Sequence, residues 1–306
     1  MASKRLISVI GPTAIGKTKL AISLANHFNT EIISADSRQF YKEMCVGTAV
    51  PTTEELQSAT HHFIQHKSIF EKYSVGDFEK EAIKKLEDIY SDKDIAIMVG
   101  GSGLYVDAVI KGLDEFPIIE PEIRVQLNKA YEEKGIQYLQ DDLKKYDPTY
   151  YETVDLNNPH RLIRALEVRL ASGLPYSTFL KKENIQRPFQ TFTIGITAPR
   201  ELIYERINKR VDNMMAQGLL EEARAIYEHR ALNALQTVGY KEVFNYFEGK
   251  WTLDFAIDEI KKNTRRFAKR QLTWFRKNES VLWLAHDEQV SVIIERLEER
   301  LNKSTL

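Results

Sequence analysis

The stretch Leu6-Ile7-Ser8-Val9-Ile10-Gly11-Pro12-Thr13-Ala14-Ile15-Gly16-Lys17-Thr18 constrains this chain more than any other. An apolar run leads directly into the pattern G-x-x-x-x-G-K-[ST]. Leu6, Ile7, Val9 and Ile10 read as a buried parallel strand, and Leu20, Leu24 and Phe28 read as the inner face of the following helix, ended by Asn29. Strand, glycine loop and helix in that order make a phosphate cradle. Backbone N–H groups converge on phosphate oxygens, Lys17 adds a positive charge, and the helix presents its positive end to the anion. The Thr18 hydroxyl offers a ligand to Mg²⁺. The motif leaves open which phosphate is held.

The chain beyond repeats the α/β alternation. Glu31-Ile32-Ile33-Ser34-Ala35-Asp36-Ser37 reads as a second strand ending in a carboxylate. In open parallel sheets ligands bind outside the carboxyl ends of the strands, so Asp36 and Thr13 are expected to face one cleft. A helix carrying Phe78, Ala82, Ile83, Leu86 and Ile89 leads to the strand Ile95–Val99, which stops at Gly100-Gly101-Ser102-Gly103-Leu104-Tyr105. From Pro121 to Pro188 the spacing is helical throughout, as in Leu127, Tyr131, Leu139 and Leu143, then Leu162, Ile163, Leu166 and Leu170. Strand pattern resumes at Phe192–Thr197 and again at Val281–Leu284, with helices between and after. The expected fold is α/β: a parallel sheet of the P-loop NTPase type flanked by helices, over residues 1–118 and 190–306, with a helical insertion domain at 119–189.

Composition narrows the function classes. With 43% hydrophobic residues, 28% charged residues and a net charge of −1, the chain is neither disordered nor a globally basic nucleic-acid binder. Any polyanion surface must be local, and Lys261–Lys277 qualifies, with Lys262, Arg266, Lys269 and Arg276 but no Asp or Glu. On a helical wheel Ile260, Phe267, Ala268, Leu272 and Phe275 gather on its other side. The single cysteine, Cys45, excludes an internal disulfide and a cysteine-based zinc site. The adjacent His61 and His62 point to opposite sides of any regular element, so a structural role is expected for them. Met1-Ala2-Ser3-Lys4-Arg5 leaves no room for a signal segment and no apolar run is long enough to span a membrane. The expected location is the cytoplasm, with no membrane partner.

Several motifs taken together carry a family resemblance. Besides the loop Gly11–Thr18, they are Asp36-Ser37-Arg38-Gln39 with Tyr41, Val46-Gly47-Thr48-Ala49, Gly100–Tyr105 and Asn158-Pro159-His160-Arg161-Leu162-Ile163-Arg164-Ala165-Leu166-Glu167. Further along stand Arg210, Met214, Gly218-Leu219, Val238-Gly239-Tyr240-Lys241-Glu242 and Lys269-Arg270-Gln271-Leu272-Thr273-Trp274-Phe275-Arg276. In this order they resemble the tRNA dimethylallyltransferases, or tRNA isopentenyltransferases, in the bacterial form that lacks a zinc-binding tail. The resemblance implies transfer of a dimethylallyl group from dimethylallyl diphosphate to N6 of the adenosine just 3′ of the anticodon, by a monomer using Mg²⁺. It implies that Gly11, Pro12, Thr13, Ala14, Ile15, Gly16, Lys17, Thr18 and Arg210 bind the diphosphate, with Thr18 holding the metal. Asp36, Thr13 and Arg210 become the catalytic set. Asp36, Ser37, Arg38, Gln39, Ser102 and Arg124 become contacts to the tRNA anticodon stem-loop. So do His160, Arg161, Leu162, Ile163 and Arg164, and Gln236, Thr237, Val238, Gly239, Tyr240 and Lys241. The family often has Thr where Ser102 stands, which keeps the hydroxyl.

The chemistry accounts for these residue types. Allylic diphosphate leaves only if its growing charge is neutralised, which suits a preorganised cation cluster. Adenine N6 must lose a proton to act as nucleophile, and Asp36 at a neighbouring strand end can take it as general base. Two rivals share the loop. One is an ATP-dependent kinase of a nucleoside or other small molecule, with Asp36 activating the acceptor hydroxyl. The other is a non-catalytic RNA-binding module, disfavoured by the intact Gly11, Gly16, Lys17 and Thr18.

Overall fold

The computed structural model of the chain describes residues 4–180 and 185–303. Residues 1–3, 181–184 and 304–306, which the expected domain bounds include, lie outside the described residues. In chain order the elements begin β1 (Arg5–Ile10), α1 (Lys17–His27), β2 (Ile32–Ser34), α2 (Thr53–Ser58), β3 (His61–His62), α3 (Val75–Tyr90), β4 (Ile95–Gly100) and α4 (Gly103–Lys111). Three helices follow, α5 (Pro121–Tyr146), α6 (Pro148–Tyr151) and α7 (Pro159–Ser172). The chain then returns to β5 (Gln190–Thr197), α8 (Arg200–Ala216), α9 (Leu219–Ala225), α10 (Tyr240–Phe247), α11 (Leu253–Phe275), β6 (Leu282–Ala285) and α12 (Val290–Lys303).

The strands form one six-stranded sheet in the order β3-β2-β4-β1-β5-β6. Every pairing is parallel. The strand before the glycine loop is therefore central, and its alternation feeds two cores. Leu6 and Ile10 pack with Met98, Phe78 and Leu86 on one face. Ile7 and Val9 pack with Leu20, Leu24, Ile97, Ile194 and Leu297 on the other. Helix α1 covers the second face and α3 the first. The expected parallel α/β sheet is present. One strand goes beyond the expectation: His61 and His62 form the outermost strand, in register with Ile32 and Ile33. Two histidines carry no strand-like signature, and only the exposed edge of β2 recruits them.

Two compact units can be described separately. One comprises Met1–Ile110 with Arg187–Leu306, and holds the sheet; the other is Lys111–Gln186. The second unit is helical and has its own core of Leu127, Leu139, Leu143, Leu162, Ile163 and Leu166. Gly135, at φ 75° and ψ −178°, interrupts α5 and lets its two halves change direction. The buried Asp147 caps α6 by accepting the Tyr150 N–H at 3.0 Å, and also accepts the Ser177 N–H and Oγ–H, each at 2.7 Å. Among the described residues no helix is long and apolar enough to cross a membrane.

Candidate active site

In the sheet unit, a cavity of about 730 Å³ opens where β1, β2 and β4 end, lined among others by Thr13, Asp36, Ser37, Arg38, Gly101, Ser102 and Arg210. The glycine loop that meets it is bent through left-handed backbone at Ala14 (φ 63°) and Gly16 (φ 102°). Ala14 carries a side chain in that region, a strain typical of functional loops. Gly11 permits the close packing beneath: a Cβ there would lie 2.8 Å from the Ile196 carbonyl oxygen. No side chain caps α1, so its N-terminal amides remain turned to the loop. From α8, Arg206 steadies the loop by donating to the Ile15 carbonyl at 3.3 Å.

Lys17 and Arg210 form the cationic end. The Lys17 ammonium donates to the Pro12 carbonyl at 2.8 Å and lies 3.7 Å from where a Gly101 Cβ would stand. Burial lowers its pKa to about 8, against the upward pull of Asp36 and with a further downward push from Arg210. Arg210, on α8, donates to the Thr48 carbonyl at 3.3 Å. Its own pKa is lowered by burial and raised by the charges of Asp36 and Glu55. One carboxylate thus faces two enclosed cations. Asp36 stands two residues beyond the end of β2, and the Arg38 N–H donates to its Oδ1 at 3.2 Å.

A polar wall continues from there. Ser102 Oγ accepts the Ser37 N–H at 3.1 Å and pairs with Ser37 Oγ at 3.1 Å. Arg38 Nη1 donates to the Ala234 carbonyl at 3.3 Å, ahead of Gln236, Thr237, Val238, Gly239 and Lys241, which also line the cavity. Met214, Ile260, Phe267, Trp251 and Trp274 add an apolar portion.

Not every expected contact residue faces this space. Gln39 donates its amide to the Ala49 carbonyl at 2.9 Å and to that of Thr48 at 3.4 Å, bracing the loop beside Arg210. Tyr240 is fully buried and gives its hydroxyl to Glu222 at 2.6 Å. In the helical unit, the side chains of Leu162 and Ile163 are buried in the core. Their neighbours His160 and Arg161 are exposed, Arg164 is half-buried and stacks on Phe116 at 4.9 Å, and Arg124 pairs with the buried Glu167 through Nε and Nη2. The basic segment of α11 is also partly committed. Lys261 pairs with Asp212 at 2.6 Å and Lys262 with Glu259 at 2.7 Å, whereas Lys269 and Arg276 are exposed. Phe267, on the apolar side of the helix, lines the cavity, as does the buried Gln271.

Gln271, quoted above only within a longer motif, reaches the site from α11. Its Oε1 accepts the Thr13 N–H at 2.9 Å and its Nε2 donates to the Gly101 carbonyl at 2.9 Å, joining the two glycine loops. A buried glutamine amid the apolar face of α11 is the available signal.

Central parallel strand, glycine loop, enclosed cations and a facing carboxylate are the parts of a P-loop α/β fold whose loop suits a phosphate group. A family model described as IPP transferase matches residues 39–278. A tRNA dimethylallyltransferase of Christiangramia forsetii is 59% identical over 300 residues, 98% of this chain and 99% of that one. One from Flavobacterium johnsoniae is 56% identical over 307 residues, with 98% and 99% covered. Among solved structures, the full-length tRNA isopentenylpyrophosphate transferase of Bacillus halodurans superposes with a TM-score of 0.74 at 37% identity, covering 99% of this chain and 98% of that one. A eukaryotic dimethylallyltransferase acting on tRNA superposes with a TM-score of 0.78 at 27% identity, covering 93% of this chain and 74% of that one. The chain belongs to the tRNA dimethylallyltransferase family. The kinase reading is not favoured.

Proposed function

We propose that the protein transfers the dimethylallyl group of dimethylallyl diphosphate to N6 of the adenosine 3′-adjacent to the anticodon in tRNA. The observation that carries this reading is the placement of Asp36 between two enclosed cations and a polar wall. The amides of Gly11 to Thr18, Lys17 and Arg210 bind the diphosphate and stabilise the charge that grows as the allylic C–O bond breaks. Thr13 keeps its backbone fixed through Gln271 and presents its side chain to the cavity beside the leaving group. The adenine N6 forms the new C–N bond while its proton passes to the Asp36 carboxylate, an effect of ~10²- to 10⁴-fold in rate. Diphosphate departs with the electron pair of the broken bond.

Among the described residues no group of three or more His, Cys, Asp and Glu side chains can hold a metal by itself. The Thr18 hydroxyl would be the protein ligand to Mg²⁺. When bound, the ion supplies further neutralisation of the leaving diphosphate. Ser37, Arg38, Ser102, the segment Gln236–Lys241 and the side chains of Arg124, His160, Arg161 and Arg164 contact the RNA, whose target base leaves its stack to react. The protein acts as a cytoplasmic monomer. The test is mass analysis of tRNA nucleosides after incubation with dimethylallyl diphosphate and Mg²⁺. N6-dimethylallyladenosine is expected; an unmodified tRNA overturns the reading.

A further inference from the structure

Glu222, on α9, is not among the residues assigned a role above, and its carboxylate is fully subscribed. Oε2 accepts the Cys45 and Val46 N–H groups, each at 2.8 Å, while Oε1 accepts the Gly47 N–H at 2.9 Å and the Tyr240 hydroxyl at 2.6 Å. Hydrogen bonds to an ionised acceptor are the stronger kind, and here three successive amides wrap one carboxylate. The bonded groups adjoin two different walls of the cavity, at Gly47–Thr48 and at Gln236–Gly239. Gly47 leads into Thr48, whose carbonyl receives Arg210 and Gln39. Tyr240 closes the segment Gln236–Gly239, and its ring sits on Gly47 so closely that a Cβ there would lie 2.6 Å from Cζ and Oη. Burial and the negative charge of Glu222 push the Tyr240 pKa upward, so the phenol remains a donor.

We propose that Glu222 is a positioning residue that couples the two substrate ends of the active site. Through Gly47 and Thr48 it sets Arg210 for the diphosphate, and through Tyr240 it sets the Gln236–Lys241 wall for the RNA. The inference rests on the roles proposed above for Arg210 and for that wall.

The two arms separate chemically. In Glu222→Gln the remaining oxygen can keep the Cys45 and Val46 amides, and the new NH₂ can donate to the Tyr240 oxygen; the Gly47 N–H then faces another donor. Glu222→Gln is therefore expected to raise the KM for dimethylallyl diphosphate by at least about fivefold with the tRNA KM within about twofold of wild type. Tyr240→Phe cuts only the other arm and is expected to raise the tRNA KM by at least about fivefold with the diphosphate KM unchanged. A merely structural role lowers the active fraction, and with it kcat, while leaving both KM values in place. That pattern, or an equal shift of both KM values in both variants, overturns the proposal. Arg210→Ala is the control. If it leaves the diphosphate KM unchanged, the site assignment itself has failed; if it raises that KM and Glu222→Gln does not, the coupling has failed.

Discussion

Lys17 makes the anion end of the site sensitive to pH in a way that can be worked out. Its pKa, ordinarily 10.5, is lowered to about 8 by burial, raised in part by Asp36 and lowered further by Arg210. A diphosphate prefers the protonated ammonium, so the apparent Kd should track the charged fraction of Lys17. That fraction is about nine-tenths at pH 7 and about one-tenth at pH 9, which weakens binding roughly tenfold across the interval. The assay is calorimetric titration with a sulfur-bridged analogue of dimethylallyl diphosphate that does not turn over. Deprotonation of the ligand raises its own charge with pH and so works in the opposite direction, leaving Lys17 to account for a loss. Two variants move the break in opposite senses. Asp36→Asn removes the charge that raises the Lys17 pKa and shifts the break to lower pH; Arg210→Gln removes a charge that lowers it and shifts the break upward. Constant affinity from about pH 7 to about pH 9.5, or breaks that move the same way in both variants, refutes the reasoning.

Three further outcomes are expected. Asp36→Asn should lower single-turnover rates at least about tenfold while retaining analogue affinity at a pH low enough to keep Lys17 charged; an unchanged rate rules out Asp36 as the base. Gln271→Ala should destabilise the protein by ~1–3 kcal/mol in denaturant unfolding, since it strips partners from the Thr13 amide and the Gly101 carbonyl. Gly101→Ala, whose Cβ would lie 2.3 Å from Gln271 Nε2, should act on the same clamp, so full additivity in the double variant counts against it. Replacing the exposed Lys269 and Arg276 with Ala should reduce the slope of log affinity for tRNA against log salt by ~0.7 for each RNA phosphate that is no longer neutralised. An unaltered slope returns that face of α11 to ordinary solvated surface.

What can be read from the chain follows from periodicity and from motifs whose residues are contiguous. Leu6 to Thr18 announces strand, loop and helix because each part has a local cause: buried aliphatic residues, glycines at bends, and helical spacing after them. Asp36 falls at the cleft because strand ends in a parallel sheet share one edge. The edge strand His61–His62 is not legible, because its pairing with Ile32 and Ile33 comes from the neighbour and not from its own residues. The place of Phe267 in the cavity wall is not legible for a related reason: a helical wheel finds an apolar face but cannot distinguish core from cavity wall. Glu222 and Gln271 stay hidden because their partners lie far away in sequence, at Cys45–Gly47 and at Thr13 and Gly101. A polar side chain in a helix acquires such meaning only when the fold brings those backbone groups to it.

The central place of β1 also bears on how the protein is made. Its neighbours are β4 on one side and β5 on the other, and the whole Lys111–Gln186 unit is encoded between those two strands. As the chain leaves the ribosome, β1 can pair with β4 at once, but its other edge stays open until Gln190–Thr197 has emerged. At ~5–20 residues per second, that interval lasts several seconds. During it the helical unit, with a core of its own, can complete its fold while the nascent sheet waits with Ile7 and Val9 only half covered. The chain order therefore makes the nascent P-loop strand the vulnerable edge of the molecule, and the arrival of β5 the step that closes it.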